Sequence, residues 1–249
     1  MPEGDTIWRT AAGVRERVGG RAVTAAWPAR YEALAGRTLE AVEPVGKHLL
    51  MRFSGGWTLH SHMRMTGSWH LYRPGERWRR PRHLARVALT FGEWEAVCFA
   101  APVVELVRDA RAPVRHLGPD VLADEFPIDH VVARARSVGP VALGELLLDQ
   151  RVCSGIGNVY KCETLWQLRL DPWRSSEELA DEELAGLFRA ARGYLRENVG
   201  RAGPRVFGGR PGAVHGRGGR PCRRCGAQVQ ARPQGADVRI TYWCPGCQG

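Results

Sequence analysis

A quartet of cysteines near the C-terminus constrains this chain more than any other feature. Cys222 and Cys225 form one Cys-x2-Cys knuckle, Cys244 and Cys247 form a second, and eighteen residues separate the two. That spacing suits a four-thiolate zinc site, and four thiolates close the tetrahedral sphere, so the metal is expected to be structural. Between the knuckles, Ala227 to Ala231 and Val238 to Trp243 read as two strands joined by a turn containing Pro233 and Gly235. The segment is therefore predicted to be a β-hairpin zinc finger holding one structural Zn2+, with Arg239 on a rigid strand. Disulfides are the alternative, disfavoured in a chain with three further cysteines, Cys98, Cys153 and Cys162, that read as core residues.

The remaining chain is long enough for two ordinary domains, with 249 residues of which 44% are apolar. Ile7, Ala11, Val14 and Val18 recur at helical spacing and Gly19-Gly20 supplies a stop, which predicts an amphipathic helix over residues 3–18. From Arg21 to about Val107 the pattern changes to short β-rich runs: Ala22 to Trp27, His48 to Phe53, Trp57 to Met63, Arg86 to Phe91 and Glu95 to Phe99. These predict a mainly antiparallel sandwich or barrel, with the basic stretch Arg73 to Arg86 as a long loop. Past Gly118-Pro119 and the acidic pair Asp124-Glu125 the periodicity turns helical, over 128–137, 141–150, 157–168 and 177–199. Residues 200–221 hold eight Gly, three Pro and five Arg, the composition of a mobile or ligand-ordered linker. The expected organisation is α+β: an N-terminal helix and antiparallel β-sandwich domain (1–124), a helical domain (125–199), the linker (200–221) and the zinc finger (222–249).

No run approaches the ~20 apolar residues that span a bilayer, and the first residues lack the regions of a signal peptide, so a cytoplasmic chain without membrane contact is expected. The net charge of +10 makes a polyanion a plausible partner, although a solvated Arg-rich surface gives the same number. Thirty-four of the thirty-six basic side chains are Arg; the two lysines are Lys47 and Lys161. An ammonium is a compact point charge that can be tuned for chemistry, which sets those two positions apart from the rest.

Leu146 to Trp166 reads LLLDQRVCSGIGNVYKCETLW: an apolar helix, a tight turn around Ser154, Gly155 and Gly157, and a second helix starting near Asn158. Backbone N–H groups at that start could take a phosphate. Asn158 could donate its amide to one or simply cap its helix. His60 and His62 alternate on one strand without a third ligand at convincing spacing, which favours a sheet-face role over a second metal.

Taken together, PEGDT at the start, the GKHLL run, LLLDQRVCSGIGNVY and the ribbon ending RITYWCPGCQ resemble the formamidopyrimidine-DNA glycosylase and endonuclease VIII family, along essentially the whole chain and closest to the endonuclease VIII branch. The resemblance implies a helix-two-turn-helix motif in the helical domain and a bifunctional base excision repair enzyme. In it the initiator Met is removed and the exposed amine, here of Pro2, attacks the deoxyribose C1′ and expels the damaged base as an enzyme-DNA iminium forms. An α-amine titrates near 8 rather than near 10.4 as in Lys, so more of it is neutral and nucleophilic. The positive end of the following helix should depress it further, while an ionised Glu3 would oppose that. Glu3 matches the acid/base residue that handles protons at the sugar through β or β,δ elimination; its alternative is a helix-start carboxylate.

By the same matching, Lys47 is the hairpin lysine that meets phosphate and helps catalysis, and Asn158 and Arg239 grip phosphates beside a flipped-out nucleotide. Met65, in LHSHMRMTG, would fill the gap that nucleotide leaves, unless it is a core methionine. The implied partner is damaged double-stranded DNA, with single-stranded or bubble DNA as an alternative form, met by a monomer that is nucleoid-associated when bound. Three departures stand out. Thr6 occupies a position where many members carry a glutamate; LVRDARAPVRHLG replaces the Arg-Arg-Phe-Gly loop of the purine-directed branch; and His215 precedes Gly216-Arg217 where an aromatic is common. The missing loop points to oxidised pyrimidines or abasic sites over oxidised purines, and Thr6, by removing a proton-handling carboxylate, leaves a noncatalytic damaged-DNA binder as the rival from another class.

Overall fold

The computed structural model describes residues 2–201 and 203–249. The chain forms two compact units, Met1–His116 and Leu117–Gly249. The boundary expected at 124/125 falls inside the second unit, whose helical core already includes Val121.

In the first unit, α1 (Gly4–Val18) is followed by two four-stranded antiparallel sheets. One has the order β1 (Ala25–Trp27), β6 (Ala85–Phe91), β7 (Trp94–Phe99), β5 (Ser68–Tyr72). The other has the order β2 (Leu39–Val45), β3 (His48–Phe53), β4 (Trp57–His62), β8 (Val103–Val107). Alternate residues Leu49, Met51 and Phe53 of β3 enter the same core as Val87, Leu89 and Phe91 of β6, the period-two pattern of a sandwich. The apolar stripe of α1, Ile7, Ala11, Val14 and Val18, closes that core at below 3% exposure. Strands β2, β5 and β8 were not expected. β2 carries Pro44 and a register shift between Leu39 and Ala41, which disrupts its alternation.

The second unit packs α2 (Ile128–Ser137), α3 (Leu143–Leu146), α4 (Asn158–Leu168) and α5 (Asp181–Val199) around Leu147, Tyr160, Leu165, Leu187 and Phe188. The helix expected over 141–150 lasts only four residues. Beyond it the chain turns, with Gln150 donating to the carbonyls of Leu148 and Ile156 and accepting from Gly155 N–H. The zinc-ribbon strands are β11 (Gln230–Gln234) and β12 (Arg239–Trp243). The first lies three residues later than expected because the Cys222–Cys225 knuckle extends to Ala227, whose carbonyl accepts from Cys222 N–H. Pro233 stands inside β11 opposite Ile240 rather than in the turn; on a two-stranded ribbon a missing N–H is tolerated.

Residues 200–221 are not featureless. β9 (Val206–Phe207) and β10 (Arg210–Pro211) form a small ribbon, and Ala213 and Val214 are buried. The cause is a set of side chains on α4 and α5. Glu163 accepts from the N–H groups of Ala213, Val214 and His215 at 2.6, 3.0 and 2.8 Å. Asn198 exchanges two bonds with Val206, and Glu197 accepts from Gly208 and Gly209. No helix among the described residues is long and apolar enough to cross a membrane.

Candidate functional site

The structure divides the expected site residues between the units: Pro2, Glu3, Lys47 and Met65 in the first, Asn158, Arg239 and the four cysteines in the second. Pro2 is half-buried, directly before the N-cap residue of α1. That residue is Glu3, whose carbonyl accepts from Thr6 and Ile7 N–H while its side chain makes no capping bond. Its carboxyl is wholly buried. The helix-start alternative therefore describes its backbone but not its side chain. One residue into the helix, Asp5 is also at 0% exposure and pairs with Arg9 at 3.7 Å, and Thr6 donates to Asp5 at 3.4 Å.

Lys47 sits in the two-residue turn between β2 and β3, after Gly46 at φ 57°. A positive φ at the first central position of such a hairpin favours glycine. Met65 is 59% exposed, at the tip of the loop between β4 and β5, so the core-methionine alternative does not hold; Met63, at 2%, is the core residue. The tip is braced by Gly67 N–H to Met63 O, Thr66 Oγ1–H to Ala100 O, and Arg80 to Thr66 O. The braced loop thus presents an apolar side chain at the surface of the first unit.

Beside Lys47 the outer face of the β2-β3-β4-β8 sheet carries a histidine cluster. His48 stands opposite His62, and His60 opposite Glu105. A carboxylate only accepts, so Glu105 takes a hydrogen from His60 Nδ1 at 2.7 Å; a neutral His60 then accepts at Nε2 from His48 Nδ1 at 2.8 Å. His62 and His116 pack edge-on against the His48 ring. Burial, reinforced by His62, His60 and His116, pushes His48 down to about 3, and burial together with Arg64 and Lys47 pushes His62 down to about 4. The sheet-face expectation for His60 and His62 anticipated this placement; the participation of His48 and Glu105, which cross-strand register reveals, and of His116, which reaches the cluster from a turn outside the strands, was missed.

In the second unit Gly157 is the N-cap of α4 and Asn158 the residue after it, so Asn158 does not cap its own helix. Its Nδ2 donates to Ile240 O at 2.8 Å, tying the helix start to the strand that begins with Arg239. The tie continues along α4: Lys161 Nζ donates to Thr241 Oγ1 and Tyr242 N–H to Cys162 Sγ. Trp166 Nε1 reaches Cys222 Sγ. Across a shallow groove from Arg239, Asp149, Gln150 and Arg151 present the turn between α3 and α4.

The sulfur atoms of Cys222, Cys225, Cys244 and Cys247 lie within 4.8 Å of one another, with pairs at 3.9 and 3.4 Å. A tetrahedral zinc with bonds of ~2.3 Å sets its sulfurs about 3.8 Å apart, whereas a disulfide needs about 2.05 Å. The donor set fits a structural zinc ion. Among the described residues no other group of His, Cys, Asp or Glu converges in this way. Burial dominates at Glu163, raising its carboxyl above the usual range despite three N–H donors. An acid among Tyr160, Cys162 and Leu165 was the one sign of it in the sequence.

Comparison with known proteins agrees with this geometry. Residues 1–102 match the formamidopyrimidine-DNA glycosylase N-terminal domain, and residues 117–206 match the formamidopyrimidine-DNA glycosylase H2TH domain. The chain is 43% identical over 259 residues to a probable endonuclease 8 2 of Streptomyces coelicolor, covering 100% of this chain and 94% of that one. It is 35% identical over 260 residues to the DNA-(apurinic or apyrimidinic site) lyase Nei2 of Mycolicibacterium smegmatis, covering 100% and 99%. Among solved structures, the MutM (Fpg) protein of Thermus thermophilus superimposes with a TM-score of 0.80 at 30% identity, over 100% of this chain and 99% of that one.

Proposed function

We propose, from the premise that this chain belongs to the formamidopyrimidine-DNA glycosylase and endonuclease 8 family, that it excises oxidised pyrimidines and opens abasic sites with the Pro2 amine as nucleophile. Membership makes it a DNA glycosylase with strand-cleaving lyase activity. In the proposed sequence, the neutral amine, freed of Met1, forms a bond to C1′ while the C1′–base bond breaks and the base departs with a proton. The C1′–O4′ bond then breaks as O4′ takes up a proton, opening the sugar to an iminium that acidifies the C2′ hydrogen; loss of that hydrogen expels the 3′ phosphate, and water finally releases the amine.

The observation that carries this reading is the Glu3 carboxyl, wholly buried and one residue from Pro2 at the start of α1. A carboxyl set there by backbone rather than by capping can give and take the protons of the sequence. Lys47, on its two-residue turn, supplies a point charge for phosphate. Asn158 and Arg239 hold the backbone on either side of the lesion, and Met65 occupies the space left by the flipped nucleotide. The zinc ion, held by Cys222, Cys225, Cys244 and Cys247, keeps Arg239's strand folded and takes no part in the reaction.

Two observations favour pyrimidine and abasic substrates. Residues 106–118 contain no Arg-Arg-Phe-Gly sequence, and Thr6 supplies a hydroxyl where a second carboxylate is common, which favours the lyase over the glycosylase step. The test is borohydride trapping on end-labelled duplex carrying an abasic site or an oxidised pyrimidine. An adduct that maps to Pro2 on both substrates is expected, and Pro2→Gly or Glu3→Gln should remove cleavage while retaining binding. No adduct on either substrate, with tight binding kept, would instead establish the noncatalytic binder.

A further inference from the structure

One of the two lysines has no part in the reading above. Lys161 lies one turn after Asn158 on α4 and is at 0% exposure, among the largest wholly buried side chains of the chain. Ordering a long flexible cation in the interior is costly, so its contacts need a reason.

Those contacts form a directed chain. An ammonium has donors only, so Lys161 Nζ gives a hydrogen to Thr241 Oγ1 at 2.6 Å. The hydroxyl passes its own hydrogen to Gln234 Oε1 at 2.7 Å, and Gln234 Nε2 donates to Pro172 O at 2.8 Å. Thr241 and Gln234 are buried as well, at 0% and 6%. The chain thus joins α4, β12, β11 and the turn after α4, and no link can be reversed while its first member is a donor-only group. Gly144 leaves room for it, since a Cβ there would lie 2.2 Å from Gln234 Oε1.

This chain runs beside the Asn158–Ile240 bond. Helix α4 therefore holds β12 at consecutive residues, 240 through Asn158 and 241 through Lys161, and the next residue outward is Arg239. A strand fixed at two successive residues has little freedom in where the third begins. We infer that Lys161 is a positioning residue for DNA binding: through Thr241 and Gln234 it sets the register of the zinc hairpin on α4, so that Arg239 and Asn158 meet phosphate together. The inference rests on the reading of Arg239 and Asn158 as phosphate contacts.

The experiment is a double-mutant cycle on the zinc-loaded protein, with Lys161→Met, Arg239→Ala and their combination, titrated with duplex DNA containing a tetrahydrofuran abasic analogue. Lys161→Met is expected to weaken binding about tenfold, the loss of one charge-assisted contact. It should also lower the slope of log K against log salt by about one. The loss should fall on Kd and not on the single-turnover rate with saturating abasic DNA. In the Arg239→Ala background Lys161→Met should change neither Kd nor slope further, because the contact it positions is gone. Thr241→Val cuts the same chain at its middle and should reproduce these effects; it serves alone if Lys161→Met fails to fold or to hold one zinc. Losses that multiply in the double variant, or parental binding by either single cut, would overturn the inference. An Arg239→Ala protein with parental affinity and slope would instead overturn the reading of Arg239 itself.

Discussion

Glu3 and Glu163 are both fully buried and illustrate how little a residue's type says about its work. Glu163 accepts three backbone N–H groups and holds a loop; Glu3 stands beside Pro2 with its backbone serving the helix. Motif matching singled out Glu3 and passed over Glu163, because a motif records position while a loop-holding carboxylate announces itself only through partners fifty residues away. The histidines allow a sharper test. With His48 near 3 in the folded chain against 6.5 when unfolded, the unfolded state binds more protons between those values. The contribution of His48 to stability is therefore full above about pH 6.5 and is lost as pH falls from there toward 3. Replacing His48 by Asn, which keeps a donor for His60 Nε2, should flatten the fall of the urea midpoint between pH 6.5 and 4.5 by up to about one proton's worth of slope. An unchanged profile would remove His48 as its source.

Elements were legible where their pattern was undisturbed. Helix α1, strand β3 and helix α2 lie within one residue of expectation because nothing interrupts their apolar period. β2, with Pro44 and a register shift, and β8, with Glu105 at its centre facing His60, hide theirs. The C-terminal hairpin was legible from its two cysteine knuckles and the β-rich runs between them, yet the start of β11 came from the knuckle geometry. β11 and β12 pair over five residues, too few to persist unaided. A chelator is accordingly expected to release one zinc per chain, unfold the hairpin and weaken DNA binding by more than about tenfold, with recovery on adding zinc back. Loss of zinc without loss of binding would show that α4 alone holds β12.

For the molecule as a whole, a charge of +10 distributed as arginines attracts polyanions but does not say where chemistry happens. The two properties should separate experimentally. Pro2→Gly and Glu3→Gln are expected to leave the salt dependence of binding as it is, since neither removes a cation. Neutralising Lys47 should make it shallower by about one phosphate. Equal slopes for all three proteins would show that Lys47 touches no phosphate. A β-rich first half and a helical stretch after it were legible in the sequence pattern, while β2, β5 and β8 were not; nor was the order of 200–221, which comes from Glu163 some fifty residues upstream and from Glu197 and Asn198 at the end of α5.

The scarcity of lysine has a practical side. Lys161 is sealed inside the second unit, and Lys47 is the only other lysine in the chain. Apart from the terminal amine, an amine-directed reagent therefore meets a single side chain on the folded protein, at the turn assigned to phosphate. The fold presents Lys47 as a built-in attachment point for a fluorophore, one whose reactivity DNA would shield.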